Sequence, residues 1–391
     1  MKTSLLTLLS DQVVPSVLFI SSLAEIGDDV FVVTTQKMKD NGKINDLGES
    51  LGRKWKIREI VVQNEDSISE LSSHLDMIRW IEYDAAYIDL TLGTKIMSLA
   101  VHSYFSRFGE LYGKPTINFY YQPVGKNQLK KIDTNEVINP PLLTLNEYLA
   151  AYGITASNQQ EKCLVPAQTT NAVLLQYNER WREASRLFRI LRNANKPKWH
   201  SDRLIPLGSE TFPTIIKETG EEWHPSENEL QLMHEFCKAA GFDIEGITRK
   251  HIEYLSGGWL EEWFYNKVKE IMPELSAEQI ALSLKIKTKT GVENELDVAL
   301  VNTQNAFRYA ECKTSLTDER SGHSFIVETL YKQSAIRKNF GLSAAPIIVT
   351  VDEMKDSSIK RAKDLDIRII SFDDIHNEDG LKQKLIEYLK K

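Results

Sequence analysis

The chain has 391 residues, of which 42% are hydrophobic and 26% charged, and a formal net charge of −7. Its length allows two or three domains, and its composition is that of an ordinary globular protein. The acidic balance argues against a surface that binds polyanions everywhere, but it leaves room for one basic groove. Cys163, Cys237 and Cys312 are far apart and form no CxxC pair, which argues against a disulfide framework and a zinc site and fits a reducing, cytoplasmic setting. The apolar start, Met1 to Leu9, is short and ends at Asp11, so it reads as a buried strand and not a signal peptide. No apolar stretch approaches the roughly 18–20 residues that cross a bilayer, so no membrane association is expected.

Up to about residue 122, short apolar runs alternate with amphipathic stretches. Strands are expected at Ser4–Leu9, Asp29–Thr34, Ile57–Val62, Ala85–Leu90 and Thr116–Tyr121. Helices are expected at Pro15–Ala24, Asn45–Lys54, Ser67–Ile81 and Lys95–Phe108. This alternation predicts a doubly wound α/β domain with a parallel sheet, which binds ligands at the carboxyl ends of its strands. Pro123, Gly125, Pro140 and Pro141 punctuate the next segment, and Asn158-Gln159-Gln160 reads as a loop. The expected division is a sensing domain over 1–150, a helical connecting region over 151–245 and a last domain over 246–391.

A basic helical stretch runs from about Asn171 to Asn195. Residues 180–203 hold Arg180, Arg182, Arg186, Arg189, Arg192, Lys196, Lys198 and Arg203 against only Glu183 and Asp202. Such a run is either a solvated helix face or a surface that tracks phosphates. Residues 226–255 read as helical. Beyond Gly257 the pattern predicts a helix at Trp259–Met272, strands at 282–288, 293–301 and 306–313, and a helix at 324–340. A strand at Ala345–Val351, a helix at Ser357–Leu365, a strand at Ile367–Ser371 and a helix at 379–390 follow, giving a second α/β core.

The 293–313 hairpin carries the chemistry. Leu296, Val298 and Leu300 alternate with Glu295, Asp297 and Ala299, and Asn302-Thr303-Gln304-Asn305 has turn composition. A turn centred near Gln304 places Asp297 opposite Glu311. Glu311 and Lys313, two residues apart, share a face, and Cys312 points into a core. Asp297 and Glu311 offer hard oxygen ligands for Mg²⁺ or Mn²⁺, and Lys313 can orient a water or stabilise charge on a phosphate. Glu261, with Glu262 as the alternate, points from the preceding helix toward the hairpin. A structural salt-bridge cluster is the competing explanation, but paired charges ending an apolar strand are costly without a task.

Gly257–Glu262, Glu295–Val298 and Ala310–Thr314 resemble the helix, Asp and Glu-x-Lys motifs of the PD-(D/E)xK restriction-endonuclease-like superfamily. Leu296 stands where the superfamily's name has proline. The resemblance implies metal-dependent phosphodiester cleavage, with Glu261, Asp297, Glu311 and Lys313 as catalytic residues and Asp297 and Glu311 as ligands of Mn²⁺ or Mg²⁺. Lys332, Gln333 and Arg337 on the following helix either meet substrate, as in related nucleases, or form a solvated face.

In the first domain, the strand at 85–90 runs through Thr91-Leu92-Gly93-Thr94-Lys95 into an amphipathic helix whose expected buried stripe is Ile96, Leu99, Ala100 and Phe105. Gly93 permits a tight turn, Thr94 caps the helix, and Lys95 adds positive charge, an arrangement that favours an anion. An ordinary strand-to-helix turn has the same composition. Ser10-Asp11-Gln12 and Thr34-Thr35 lie at two other strand ends, and no Gly-x-Gly-x-x-Gly or Walker lysine motif is present.

Ser10–Gln12 with Val14-Pro15, Val33–Thr35, Thr91–Ser98 and Leu143–Gly153 resemble the CARF domain, the Rossmann-like sensor of type III CRISPR ancillary proteins. Leu92 replaces one of two adjacent glycines of that family's turn. The order of domains is similar to that of the cyclic-oligoadenylate-activated nucleases. The resemblance implies a homodimer that binds cyclic tetra-adenylate through Ser10, Asp11, Gln12, Thr34, Thr35, Thr91, Gly93, Thr94 and Lys95. It also implies cleavage of single-stranded DNA, RNA or duplex DNA with little sequence preference. The rival readings are a restriction or repair nuclease without an activator, and a CARF-type transcription regulator. A sensor that also degrades its own activator is a further reading.

Overall fold

The computed structural model describes residues 2–160, 162–193, 204–210, 212–217, 220–243, 245–275, 279–316 and 325–390. Lys196, Lys198, Asp202, Arg203 and the Arg182 side chain lie outside the described residues.

Strands β1 (Thr3–Leu8), β2 (Asp29–Thr35), β3 (Ile57–Val62), β4 (Ala85–Asp89) and β5 (Thr116–Tyr121) form a parallel sheet in the order β3-β2-β1-β4-β5. The strands are near-continuous apolar runs because helices cover both faces. α1 (Val14–Leu23) and α3 (Lys43–Ser50) lie on one side, with α2 (Gln36–Asp40) leading into α3. α4 (Ile68–Asp76) and α5 (Lys95–Tyr112) lie on the other. The stretch expected as one helix over 67–81 divides into α4 and a short 3₁₀ turn at Trp80–Glu82. Two strands not foreseen, β6 (Leu129–Lys131) and β7 (Val137–Ile138), extend the sheet antiparallel beyond β5.

On α5, Met97, Ala100, Val101 and Phe105 are buried. Ile96 is 36% and Leu99 64% exposed, which corrects the expected stripe. Thr94 caps the helix by accepting the Met97 N–H at 3.2 Å, and from that start the sheet-facing side passes through 97 and 101.

α6 (Leu145–Ala151), with a capping box at Thr144 and Glu147, leads into β8 (Thr155–Gln160). The residues read as a loop at 158–160 thus belong to an edge strand. β8 pairs antiparallel with β13 (Ile280–Lys287) in the sheet β17-β16-β15-β14-β13-β8. The other strands are β14 (Glu293–Val301), β15 (Phe307–Lys313), β16 (Ala345–Thr350) and β17 (Arg368–Ile370). Two-residue strands pair as β9 (Ile205–Pro206) with β12 (Gly246–Ile247), and β10 (Ile215–Ile216) with β11 (Glu222–Trp223).

One face of this second sheet packs on α7 (Ala167–Asn193, kinked at Arg180), α8 (Glu227–Ala239), α10 (Trp259–Leu275) and α14 (Glu378–Lys390), with α9 (Arg249–Glu253) preceding α10. The other face packs on the first domain: Leu284, Leu296, Phe307 and Tyr309 share a core with Val17, Leu47, Tyr148 and Leu149. α11 (Ile326–Arg337) and α12 (Asp356–Asp364) enclose a smaller cluster beside β16, and α13 (Phe372–His376) precedes α14. No described helix is long and apolar enough to cross a membrane.

Candidate active site

The β14–β15 hairpin turns at Asn302–Asn305, with Asn305 at φ 52°, and its register pairs Val298 with Ala310. Continued by one residue, that register sets Asp297 opposite Glu311, as a turn centred on Gln304 requires. The ladder is irregular there. Pairing between β13 and β14 passes from Leu282–Val298 to Leu284–Leu296, and the omitted Ser283 adopts φ 49°. A left-handed conformation at a β position stores strain and concentrates at functional sites. The irregularity also changes which core each side chain enters. Leu296 packs in the interdomain core whereas Val298 and Leu300 pack in the other, so the three do not share one face as the simple alternation predicted.

Freed from its ladder position, Asp297 accepts the Cys312 backbone N–H on Oδ2 at 2.6 Å. Glu311, 4% exposed, takes Lys313 Nζ at 2.7 Å and Lys332 Nζ at 3.4 Å on Oε1, and accepts the Gln333 amide on Oε2 at 3.0 Å. Cys312 packs into the core on the far side. Lys332 and Gln333, which the sequence leaves open between substrate and solvent, are thereby brought to Glu311. Arg337, one turn further on, pairs instead with Asp366 at 2.7 Å.

α10 enters through a π-turn at Tyr254–Gly258, whose Ser256 carbonyl accepts the Thr314 hydroxyl at 3.1 Å. The helix separates its two adjacent glutamates. Glu262 accepts the backbone N–H groups of Leu164 and Val165 and, at 2.9 Å, the Gln160 amide, so it ties the connecting segment to α10. Glu261 accepts the Ser283 hydroxyl at 3.4 Å and interacts electrostatically with Asp297 and Lys313.

Burial, then repulsion from Glu261 and Glu311, holds the Asp297 carboxyl well above the usual carboxylate range. Burial and Glu295 likewise raise Glu261, with Lys313 and Arg192 opposing. Burial works against the Lys313 ammonium, yet Glu311 and Asp297 outweigh it and hold its pKa above normal. Asp297 is repelled by two further carboxylates, Glu261 and Glu311, while Lys313 and Lys332 pair with Glu311; this cluster offers hard oxygen donors, and such donors suit a divalent cation. Among the described residues no three His, Cys, Asp or Glu side chains form a ready-made ligand set. A two-carboxylate site completed by water and phosphate is the arrangement these residues fit. Ser283, Glu295 and Arg192 went unassigned in the sequence, because a left-handed strand residue, a charge on β14 that acts on a helix, and a residue about 70 positions from that helix leave no local pattern.

At the carboxyl edge of the first sheet, the Ser10–Gln12 and Thr91–Lys95 turns follow the adjacent strands β1 and β4. There the strand order reverses, forming the crevice that doubly wound folds use. Ser10 Oγ accepts the Gln12 N–H at 3.1 Å. Asp89, fully buried, accepts the Thr7 hydroxyl at 2.8 Å and both the N–H and hydroxyl of Thr91. Thr91 Oγ1 in turn accepts the Gln122 N–H at 2.9 Å. Burial pushes the Asp89 carboxyl up to about 6 against the hydrogen bonds from Thr91 and Thr7. Gly93 has φ 81°, and a Cβ there would stand 3.0 Å from Leu8, so the turn needs glycine. Lys95 and Asp11 are exposed. Thr35 caps α2, while Thr34 is buried with its hydroxyl unpartnered, out of reach of a ligand in this conformation. Gln12 faces the second domain, where its Oε1 accepts the Leu342 N–H at 2.9 Å.

Residues 4–148 match the family model of the Card1 CARF domain, and residues 248–390 match that of the Card1-like endonuclease domain. Among solved structures, Can2 from Sulfobacillus thermosulfidooxidans in complex with cyclic tetra-adenylate has a TM-score of 0.74 at 18% identity, covering 99% of each chain. Protein VC1899 from Vibrio cholerae has a TM-score of 0.76 at 16% identity, covering 100% of this chain and 99% of that one. At those identities the likeness shows a shared fold alone. No curated protein matches the sequence. The chain belongs to the CARF-domain nucleases, joining a Card1 CARF domain to a Card1-like endonuclease domain.

Proposed function

We propose that the protein is a metal-dependent endonuclease switched on by a cyclic oligoadenylate, with cyclic tetra-adenylate the expected activator. It acts as a homodimer on DNA or RNA in type III CRISPR defence. The observation that carries the catalytic half is the convergence of Glu261, Asp297, Glu311 and Lys313 in one buried, interacting cluster. In this reading Asp297 and Glu311 hold Mn²⁺ or Mg²⁺, which when bound supplies Lewis acidity to the phosphate and a more acidic water. Lys313 orients that water or meets charge on the transferring phosphate. Lys332 and Gln333 hold Glu311, and Glu261 with Ser283 flanks Asp297.

The sensing half is supported by the turns at 10–12 and 91–95 meeting at the strand-order reversal, and by the activator that Can2 carries in its complex. Exposed Ile96 and Leu99 on α5 supply an apolar face for a second copy, and a twofold assembly suits a twofold-symmetric ring. Coupling has a physical path. The turn of the catalytic hairpin is docked on the sensor, where Gln304 Oε1 accepts the Asn127 N–H at 2.9 Å and Asn305 Oδ1 accepts the Leu143 N–H at 2.8 Å. A change at the sensor that moves 127–143 therefore moves the strands carrying Asp297 and Glu311.

The test is cleavage of labelled single-stranded DNA, single-stranded RNA and plasmid with Mn²⁺, with and without cyclic tetra-adenylate, using wild type, Glu311→Ala and Lys95→Ala. Cleavage that needs the ring, vanishes in Glu311→Ala and weakens in Lys95→Ala is the expected result. Ring-independent cleavage removes the sensor claim, and no cleavage under any condition removes the enzyme claim.

A further inference from the structure

Between the two domains lies a cavity of about 350 Å³. Its nuclease-side wall holds Arg308 at the start of β15, Arg368 at the start of β17 and Arg337 at the end of α11. Its sensor-side wall includes Gln12, Thr91 and Lys126. The lining carries four cationic side chains against one carboxylate, Asp366, which is largely exposed and already paired with Arg337.

Arg308 is 2% exposed. Its Nη1 donates to the carbonyls of Phe307 at 2.9 Å and Ser343 at 2.7 Å, which fixes the guanidinium, but its Nε has no partner. Arg368 also buries an unpartnered Nη1, and its guanidinium lies 5.4 Å from the Tyr388 ring centroid. Burial, and then repulsion from Arg368, pulls the Arg308 pKa down to about 10, with Arg337 adding to that repulsion. Buried guanidinium donors with no acceptor are costly unless an anion completes them. Arginine matches phosphate in geometry and charge.

We propose that this cavity is a phosphate-binding site for a nucleotide ligand, in which Arg308, Arg337 and Arg368 of the nuclease domain hold a phosphate presented from the sensor side. The volume suits one nucleotide unit, within the range of ordinary small-molecule pockets, about 300–1,000 Å³. Two sources share that chemistry: a phosphodiester of the cyclic activator, which rests on the proposed sensor function, and a free mononucleotide, which does not. Arg308 shares β15 with Glu311 and Lys313, so a phosphate drawn to Arg308 bears on the strand that carries the catalytic groups.

The experiment is calorimetric titration of the full-length protein with inorganic phosphate, adenosine monophosphate and cyclic tetra-adenylate. Wild type, Arg308→Gln and Arg368→Gln are compared, with folding checked by circular dichroism. Arg368→Gln, at a partly exposed position, decides the matter if Arg308→Gln does not fold. Cyclic tetra-adenylate binding weakened tenfold or more by the substitutions assigns the phosphate to the activator. Phosphate and adenosine monophosphate binding weakened to that extent assigns it to a mononucleotide: with the ring bound and unaffected, both the site and the sensor reading stand, and with the ring not bound, the site stands without the sensor reading. Unchanged affinity for the ring in the folded variants, together with no binding of phosphate or adenosine monophosphate, overturns the site and leaves the sensor reading intact. No binding of any probe to wild type overturns both.

Discussion

Asp89→Asn isolates what a buried charge costs the sensor. Asp89 ends β4 with no exposure, and its carboxyl is raised from an ordinary value of 3.8 to about 6. At about 1.4 kcal/mol per pH unit, that displacement corresponds to roughly 3 kcal/mol. The folded state holds the proton more tightly than the unfolded chain, so between pH 4 and 6 it binds more protons. Stability from this group is therefore greatest below pH 4, falls as pH rises through that window, and stays low above it. Asparagine keeps an acceptor for the Thr91 N–H and hydroxyl, and Thr7 can turn its own hydroxyl to the Leu8 carbonyl, 3.3 Å away. Urea unfolding of both proteins at pH 4, 5, 6 and 7.5 gives the comparison. Any constant offset from altered hydrogen bonding drops out, because only the pH-dependent difference counts. The variant is expected to gain about 2.4 kcal/mol on wild type between pH 4 and 7.5, because at pH 4 the unfolded carboxyl is already partly ionised. A difference that stays flat across that range, or that reverses sign, refutes the buried-charge argument.

The two adjacent glutamates of α10 separate by experiment. Glu262→Ala leaves the Leu164 and Val165 N–H groups without acceptors and is expected to cost about 2–4 kcal/mol in denaturant unfolding. Glu261→Gln, which removes a repelling charge from Asp297, is expected to keep or raise stability while lowering cleavage at least tenfold; equal destabilisation by both would contradict the assignment. If the proposed dimer forms through α5, Leu99→Asp on its exposed side shifts the protein from dimer to monomer in sedimentation while leaving its thermal unfolding in place; an unchanged dimer would move the interface elsewhere, and a wild-type monomer would remove the dimer proposal.

Much of this fold follows from local pattern. Apolar runs alternating with amphipathic stretches specify the five parallel strands, because a strand buried on both faces must be apolar throughout. Turn composition at 302–305 sets the hairpin register, and strand parity puts Glu311 and Lys313 together, so the pairing of these two side chains was legible before folding. Parity failed beyond Asp297 because Ser283 in a neighbouring strand takes a left-handed conformation and drops out of the ladder, and a strand does not encode its neighbour's irregularity.

Only tertiary structure placed Thr155–Gln160 in a sheet. The segment is polar, and its strand conformation comes from backbone pairing to the edge of β13. Packing likewise chose between Glu261 and Glu262, which sit about 100° apart on one helix, by setting the connecting segment against one of them. The phase of α5 came from its cap and from the sheet beneath it, so Met97 and Val101 turn inward where Ile96 and Leu99 had been expected. Arg308, Arg337 and Arg368 belong to three elements and meet only because β15 and β17 begin at the same end of one sheet, beside the end of α11. Their proximity is a property of the fold's geometry, and no spacing along the chain encodes it.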